Sequence, residues 1–157
     1  MPYALLQLHG DEDAAYIAKL KILTGAKIIK AIRLRNGDLP VQGNGKGVEE
    51  RGCTVNAGLL TEAALADFYL FDTFLPDTYG GTGKTFSLSL LKGMRIDKPF
   101  FLAGGLDADN VAELIRQVQK DATLLPNFYG VDVSGGIETD GVKDPIKMEA
   151  FIKAIRG

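Results

Sequence analysis

The chain has 157 residues, of which 46% are hydrophobic, a net charge of −2 and a single cysteine. This length allows one domain with a sizeable core, and the small net charge excludes a strong general attraction to nucleic acid or to an anionic membrane. The lone Cys53 excludes an internal disulfide framework and a cysteine-based zinc cluster, while the lack of a secretory signal or a membrane-length apolar run predicts a cytoplasmic protein.

Five short apolar runs in chain order predict five β-strands. They lie at residues 4–8, 27–34, 67–72, 99–104 and 128–134. The first, third, fourth and fifth runs scarcely alternate between apolar and polar residues, which predicts strands buried on both faces, as in a parallel sheet.

Helical spacing between these runs predicts helices at residues 11–23, 107–119 and 144–155, with two shorter ones at 59–66 and 86–94. Asp107 is the predicted N-cap of one helix, and Asp144-Pro145 begins another. Residues 36–58 are rich in glycine and charge, which favours a solvated loop and is also consistent with a mobile loop that covers a substrate. Repeated β–α alternation predicts an α/β fold with parallel strands.

Polar or glycine-rich residues follow each predicted strand, where parallel α/β folds bind their ligands. Gly104-Gly105 follows the fourth strand, and Ser134-Gly135-Gly136 follows the fifth. Glycine lets backbone N–H groups approach an anion, and two such loops after the last two strands favour a phosphate site over ordinary tight turns.

Four further side chains lie at or near these strand ends. Asp72 ends a very apolar strand, where partial burial would raise its pKa as a general acid requires, although a loop-capping carboxylate fits the spacing equally well. His9, the only histidine, is consistent with a functional or a core residue. Arg33 is a candidate anion contact or a solvated cation, and Asp132 has an expected structural or orienting role.

The segment YGGTGKTF (79–86) ends like a nucleotide-binding P-loop, and Lys84 within it is a further candidate anion contact. The P-loop pattern requires a glycine five positions before Gly83, where this chain has Thr78. Gly81 and Gly83 therefore need another explanation.

The order of five motifs resembles the phosphoribosylanthranilate isomerase family of tryptophan biosynthesis. The motifs are LQLHGDE (6–12), IIKAIRL (28–34), LFDT with YGGTGKTF (70–73 and 79–86), FLAGGLDADNV (101–111) and GVDVSGGIETDGVKD (130–144). The resemblance implies a TIM-type (β/α)₈ barrel and an Amadori rearrangement of N-(5-phosphoribosyl)anthranilate, without metal or organic cofactor.

The resemblance also implies a role for each matching residue. Asp72 matches the general acid, and His9 and Arg33 match residues at the ends of the fourth and fifth barrel strands. The phosphate-binding positions are matched by Gly104, Gly105, Ser134 and Gly135, and the loop that borders the substrate by Gly81 and Gly83.

This chain departs from the family pattern in two places. Ser87-Leu88 stands where the family usually has Asp-Trp, a change that affects helix capping. The family's general base is a cysteine in a KICG-type motif on the first strand, and an arginine after the second strand helps to hold the substrate. Neither motif is present, and Cys53 lies at the wrong place to replace that base.

We therefore expect residues 1–157 to form a single partial barrel domain that matches strands four to eight. Such a sheet has two open edges, which predicts self-association or pairing with a complementary N-terminal half. The alternatives are a truncated reading of a longer gene whose full product is the isomerase, and a catalytically incomplete module that binds phosphate esters.

Overall fold

A five-stranded parallel sheet is the centre of the fold. The computed structural model describes residues 4–34, 60–73, 88–91 and 94–157. The strands follow one another in the order β1-β2-β3-β4-β5, and all four neighbouring pairs are parallel. Their bounds are β1 Leu5–Leu8, β2 Lys27–Leu34, β3 Phe68–Thr73, β4 Phe100–Ala103 and β5 Phe128–Val131.

Three α-helices connect or follow these strands, which confirms the three longer predicted helices. They are α1 Ala14–Thr24, α2 Val111–Lys120 and α3 Pro145–Arg156, with 3₁₀ turns at Leu88–Leu91, Leu125–Asn127 and Gly135–Ile137. Residues 60–62 are helical, and a short hairpin pairs β6 Glu138–Thr139 with β7 Val142–Lys143. None of the helices in these ranges has the length and apolar character needed to cross a bilayer.

Two helix starts illustrate how side chains set the boundaries. Asp144 accepts hydrogen bonds from the Ile146 and Lys147 N–H groups, as predicted for an N-cap. Asp107 behaves differently: its carboxylate accepts from the N–H groups of Asp109 and Asn110, and the α-helix begins only at Val111. Asp107 therefore caps the turn that leads into α2 instead of the regular helix.

The core is divided between the two faces of the sheet. The larger cluster packs Phe71, Phe100 and Leu102 of the sheet against Leu114 of α2 and Phe151 of α3. The smaller cluster lies on the opposite face and contains Ile29, Ala31, Leu70 and Ala103. Because side chains alternate along a strand, Asp72 lies on the same face as Leu70, at its carboxyl end.

The prediction that the first and fifth strands are buried on both faces is wrong. β1 alternates between exposed and half-buried residues, and in β5 Tyr129 is exposed and the other three residues are half-buried, whereas β2, β3 and β4 are largely buried. The physical reason is position: β1 and β5 are the edges of the sheet that the described residues form.

An ion pair ties α1 to the start of β3. Lys21 Nζ lies 2.8 Å from Asp67 Oδ2 and donates to the Leu65 carbonyl at 3.1 Å. Burial raises the pKa of Asp67, but hydrogen bonds from Lys21 and from the Ile28 N–H lower it by more. The net pKa lies below its ordinary value, so this carboxylate is ionised at neutral pH.

Candidate active site

A cavity of about 400 Å³ lies at the carboxyl ends of β1, β3, β4 and β5. Its position agrees with the rule that parallel sheets bind ligands where the strands end. The residues that line it are His9, Asp72, Ala103, Gly104, Gly105, Leu106, Asp107, Asp132, Val133, Ser134, Gly135 and Gly136. Sequence-predicted residues from four different strand ends are thus brought together in one cavity.

Asp72 and His9 form one wall of the cavity. His9 Nε2 lies 3.3 Å from Asp72 Oδ2, and their side chains are 44% and 24% exposed. The Gln7 amide nitrogen lies 3.4 Å from His9 Nδ1. In the tautomer with its proton on Nε2, His9 Nδ1 accepts from this amide and Nε2 donates to the Asp72 carboxylate.

Two glycine loops, at residues 104–105 after β4 and 135–136 after β5, also line the cavity. Gly104 and Gly105 have φ values of 103° and 60°, a left-handed region that favours glycine. Within the described part of the chain, the backbone N–H groups of Gly105 and Gly135 make no hydrogen bond. Unpaired N–H groups beside a cavity are suited to an anion.

Contact between the two loops occurs at Gly136. A Cβ at this position would lie 1.8 Å from the Leu106 carbonyl oxygen and 2.8 Å from its carbon. Gly135, by contrast, has no heavy atom within 4 Å of such a Cβ. Only glycine at 136 therefore allows the loop after β5 to lie against the loop after β4.

The Lys143 ammonium group lies against the loop that follows β5. Its Nζ donates to the Ser134 carbonyl at 3.0 Å, lies 3.2 Å from Ser134 Oγ and pairs with Glu138 Oε1 at 2.6 Å. Sequence reasoning placed Gly136 in the predicted phosphate loop but missed its contact with Leu106, and it missed the contact of Lys143 with Ser134. The Gly-x-Lys-Asp ending of the last motif and the paired glycines after Ser134 were the available signals.

Arg33 does not line the cavity. Its Nη2 donates to the His9 carbonyl oxygen at 2.8 Å, so it contacts the loop after β1. Gly81, Gly83, Lys84, Cys53 and the loop 36–58 lie outside the described residues. Among the residues that are described, no group of three or more His, Cys, Asp or Glu side chains could hold a metal ion.

The whole chain is similar to one enzyme family. A family model described as N-(5'-phosphoribosyl)anthranilate (PRA) isomerase matches residues 1–154. An N-(5'-phosphoribosyl)anthranilate isomerase of Endomicrobium trichonymphae is 39% identical over 152 residues, which are 97% of this chain and 60% of that relative. One of Pseudomonas putida strain KT2440 is 40% identical over 157 residues, 99% of this chain and 62% of the relative.

Solved structures of such isomerases are also similar to this chain. The isomerase from Thermococcus kodakaraensis superposes with a TM-score of 0.66 at 28% identity, over 98% of this chain and 64% of that one. The isomerase from Thermotoga maritima gives a TM-score of 0.62 at 30% identity, over 98% and 62%. This chain therefore spans about three fifths of the length of the relatives that it matches.

Proposed function

The chain belongs to the N-(5'-phosphoribosyl)anthranilate isomerase family, and we propose that it supplies the general acid and the phosphate site of such an isomerase. The observation that carries the proposal is the single cavity that joins the Asp72 carboxylate to the two glycine loops. A sugar phosphate needs both features: the carboxyl group for the reacting sugar ring and the glycine loops for the phosphate.

Asp72 is proposed as the acid that opens the sugar ring of N-(5'-phosphoribosyl)anthranilate. Its proton passes to the furanose ring oxygen, the C1'–O bond breaks, and an iminium forms. A base then removes the C2' proton to give an enolamine, which tautomerises to the 1-(2-carboxyphenylamino)-1-deoxyribulose 5-phosphate. The support is geometric: the Asp72 carboxyl lines the cavity, and the contact between His9 Nε2 and Asp72 Oδ2 orients it there.

The substrate phosphate is proposed to bind the N–H groups of Gly104, Gly105 and Gly135 together with Ser134. The support is geometric: these four residues line the cavity, and the Lys143 ammonium lies beside Ser134. Because Lys143 is itself paired with Glu138 at 2.6 Å, the backbone N–H groups are the main proposed donors to the phosphate. Substrate contacts by His9, Arg33, Gly81 and Gly83 remain predictions, and neither metal nor organic cofactor takes part in the proposed steps.

For the fold, we infer that residues 1–157 form part of a single TIM-type barrel domain, which three further βα units would close. Exposed apolar side chains are concentrated on the two flanks of the sheet. Leu5, Ile22 and Leu23 lie at the β1 flank, and Tyr129, Val142, Ile146, Met148, Ile152 and Ile155 lie on or beside β5 and α3. The two fifths of the relatives' length that this chain does not span are enough for three units of about 30 residues.

These three units would also supply the base, since the resemblance to the family implies a base cysteine on the first barrel strand. Eight parallel strands are needed to close a small barrel and to remove the open edges. We place this biosynthetic enzyme in the cytoplasm, as the sequence predicts.

Complementation of a tryptophan-requiring strain that lacks the isomerase tests the proposal. We expect growth when this chain is co-expressed with a segment holding the first three βα units of the Pseudomonas putida relative, and none with either part alone. The two parts should also elute as a one-to-one complex in size-exclusion chromatography.

The variant Ile152→Lys places a charge on the exposed apolar stripe of α3 and should weaken the complex, whereas Arg116→Ala on an exposed position of α2 should not. Growth with this chain alone would contradict the need for a complement. Binding of a phosphate ester without growth in any combination would favour the non-catalytic module, and a homodimer that excludes the segment would favour self-association.

A further inference from the structure

Lys30 of β2 is a buried charge that the proposed chemistry does not use. It is 6% exposed, and it is the charged residue that the described ranges bury. Its Nζ lies 3.0 Å from Glu12 Oε2 and donates to the Gly10 carbonyl oxygen at 2.5 Å. A buried ion pair contributes little net stability because desolvation of both charges offsets their attraction. Its contacts therefore indicate another role.

These contacts converge on the backbone next to His9. Both carboxylate oxygens of Glu12 accept from the Gly10 N–H, at 3.2 and 3.1 Å. Arg33 Nη2 donates to the carbonyl oxygen of His9 at 2.8 Å. The peptide group between His9 and Gly10 is thus held at its N–H and at its C=O, and Lys30 holds the next carbonyl along the chain.

The Glu12 carboxylate of this arrangement is ionised at neutral pH. Burial raises the pKa of Glu12, but the hydrogen bond and charge of Lys30 and the Gly10 N–H lower it by more, so that the net pKa lies below its usual value. Gly10 is part of the same arrangement. A Cβ at Gly10 would lie 2.8 Å from Glu12 Oε1, so the absence of a side chain allows the carboxylate to reach the backbone.

The His9 ring itself has few constraints. Its side chain is 44% exposed, and its two ring contacts, to Gln7 and to Asp72, are long at 3.4 and 3.3 Å. A half-exposed side chain with weak contacts samples several rotamers unless its backbone allows only one. The orientation of the imidazole towards Asp72 therefore depends on how firmly the His9–Gly10 backbone is held.

We propose that Lys30 is a positioning residue: through Glu12 and Gly10 it fixes the backbone of His9 and so holds the imidazole against the Asp72 carboxylate. This inference deepens the proposed function, because it concerns the group that orients the proposed acid. The orientation of the His9 ring can be measured without enzymatic turnover. The proposal about Lys30 can therefore fail while the proposed function stands, and the proposed function can fail while the proposal about Lys30 stands.

His9 is the only histidine in the sequence, so its NMR signals are free of overlap from other imidazoles. Three-bond couplings across its χ1 torsion in the full chain should report one rotamer, and its ring protons should show contacts to Asp72. In Lys30→Met the couplings should become averaged and those contacts should be lost. Glu12→Gln, which breaks the ion pair at a more exposed position and keeps the side-chain size, should give the same direction of change.

The matched control is Lys21→Met. Lys21 also pairs with a carboxylate and donates to a carbonyl, but it does so between α1 and the start of β3, with no contact to His9. This variant should keep the single His9 rotamer even if the free energy of unfolding falls. If Lys30→Met does not fold, Glu12→Gln decides the question. A single His9 rotamer in Glu12→Gln, or equal averaging in the Lys21 control, would overturn the proposal.

Discussion

Replacement of Asp72 by asparagine is expected to lower kcat of the complemented isomerase by about 10²–10⁴-fold, the usual contribution of a general acid. Asparagine has nearly the same shape, and its carbonyl oxygen can still accept from His9 Nε2, so the cavity should keep its form. It has no acidic proton to give to the ring oxygen. KM should change little, because the substrate phosphate is proposed to bind the two glycine loops and not Asp72. Steady-state kinetics on the complex with the complementary segment measure both quantities.

Asp132→Asn is the control for this prediction. Asp132 lines the same cavity after β5, and its backbone N–H is already bonded to the Leu102 carbonyl at 2.8 Å. Its expected role is structural, so kcat should fall by less than about tenfold, below the usual range for an acid or base. A larger loss of kcat in Asp132→Asn than in Asp72→Asn would show that Asp72 is not the general acid.

Gly136→Ala is expected to destabilise the protein by about 3 kcal/mol, at the upper end of the usual cost of overpacking. The added methyl group would meet the backbone of Leu106, with its carbonyl oxygen 1.8 Å away, and a backbone cannot rotate aside as a long side chain can. The two glycine loops must therefore separate, and binding of a phosphate ester should be lost with the stability. Urea unfolding measures the first effect and isothermal titration with the product measures the second.

The neighbouring variant Gly135→Ala is the matched control. No heavy atom lies within 4 Å of its added methyl group, so its free energy of unfolding should change by less than about 0.5 kcal/mol, as for an uncrowded surface position. Equal destabilisation by the two variants would show that the contact between the loops is not what Gly136 provides.

Much of the fold can be predicted from local patterns. Short continuous apolar runs such as 67–72 identify buried strands by their length and composition, and the stripe of Val111, Leu114 and Val118 identifies α2 by its helical spacing. Burial of the first and fifth strands could not be predicted in the same way. Whether an apolar run lies at an edge depends on which strands pair with it, and that is a property of the whole sheet.

The candidate site, like the fold, could be predicted from the sequence only in part. The grouping of His9, Asp72 and the glycine loops in one cavity follows from the rule that parallel strands end at the same edge. The contact between Gly136 and Leu106 joins residues 30 positions apart, and that between Lys30 and Gly10 joins residues 20 apart. No local pattern encodes such distances, so the loop contact and the role of Arg33 beside His9 emerge only in three dimensions.

The central claim is that the cavity binds a sugar phosphate between Asp72 and the two glycine loops. The most direct test is an NMR titration of the ¹⁵N-labelled chain with 1-(2-carboxyphenylamino)-1-deoxyribulose 5-phosphate. Saturable shifts of the Gly104, Gly105, Ser134 and Gly135 amides are expected, with the His9 ring signals shifting over the same concentration range. The same compound without its phosphate should leave these amides unchanged. Equal binding of the two compounds, or shifts confined to residues outside the cavity, would contradict the claim.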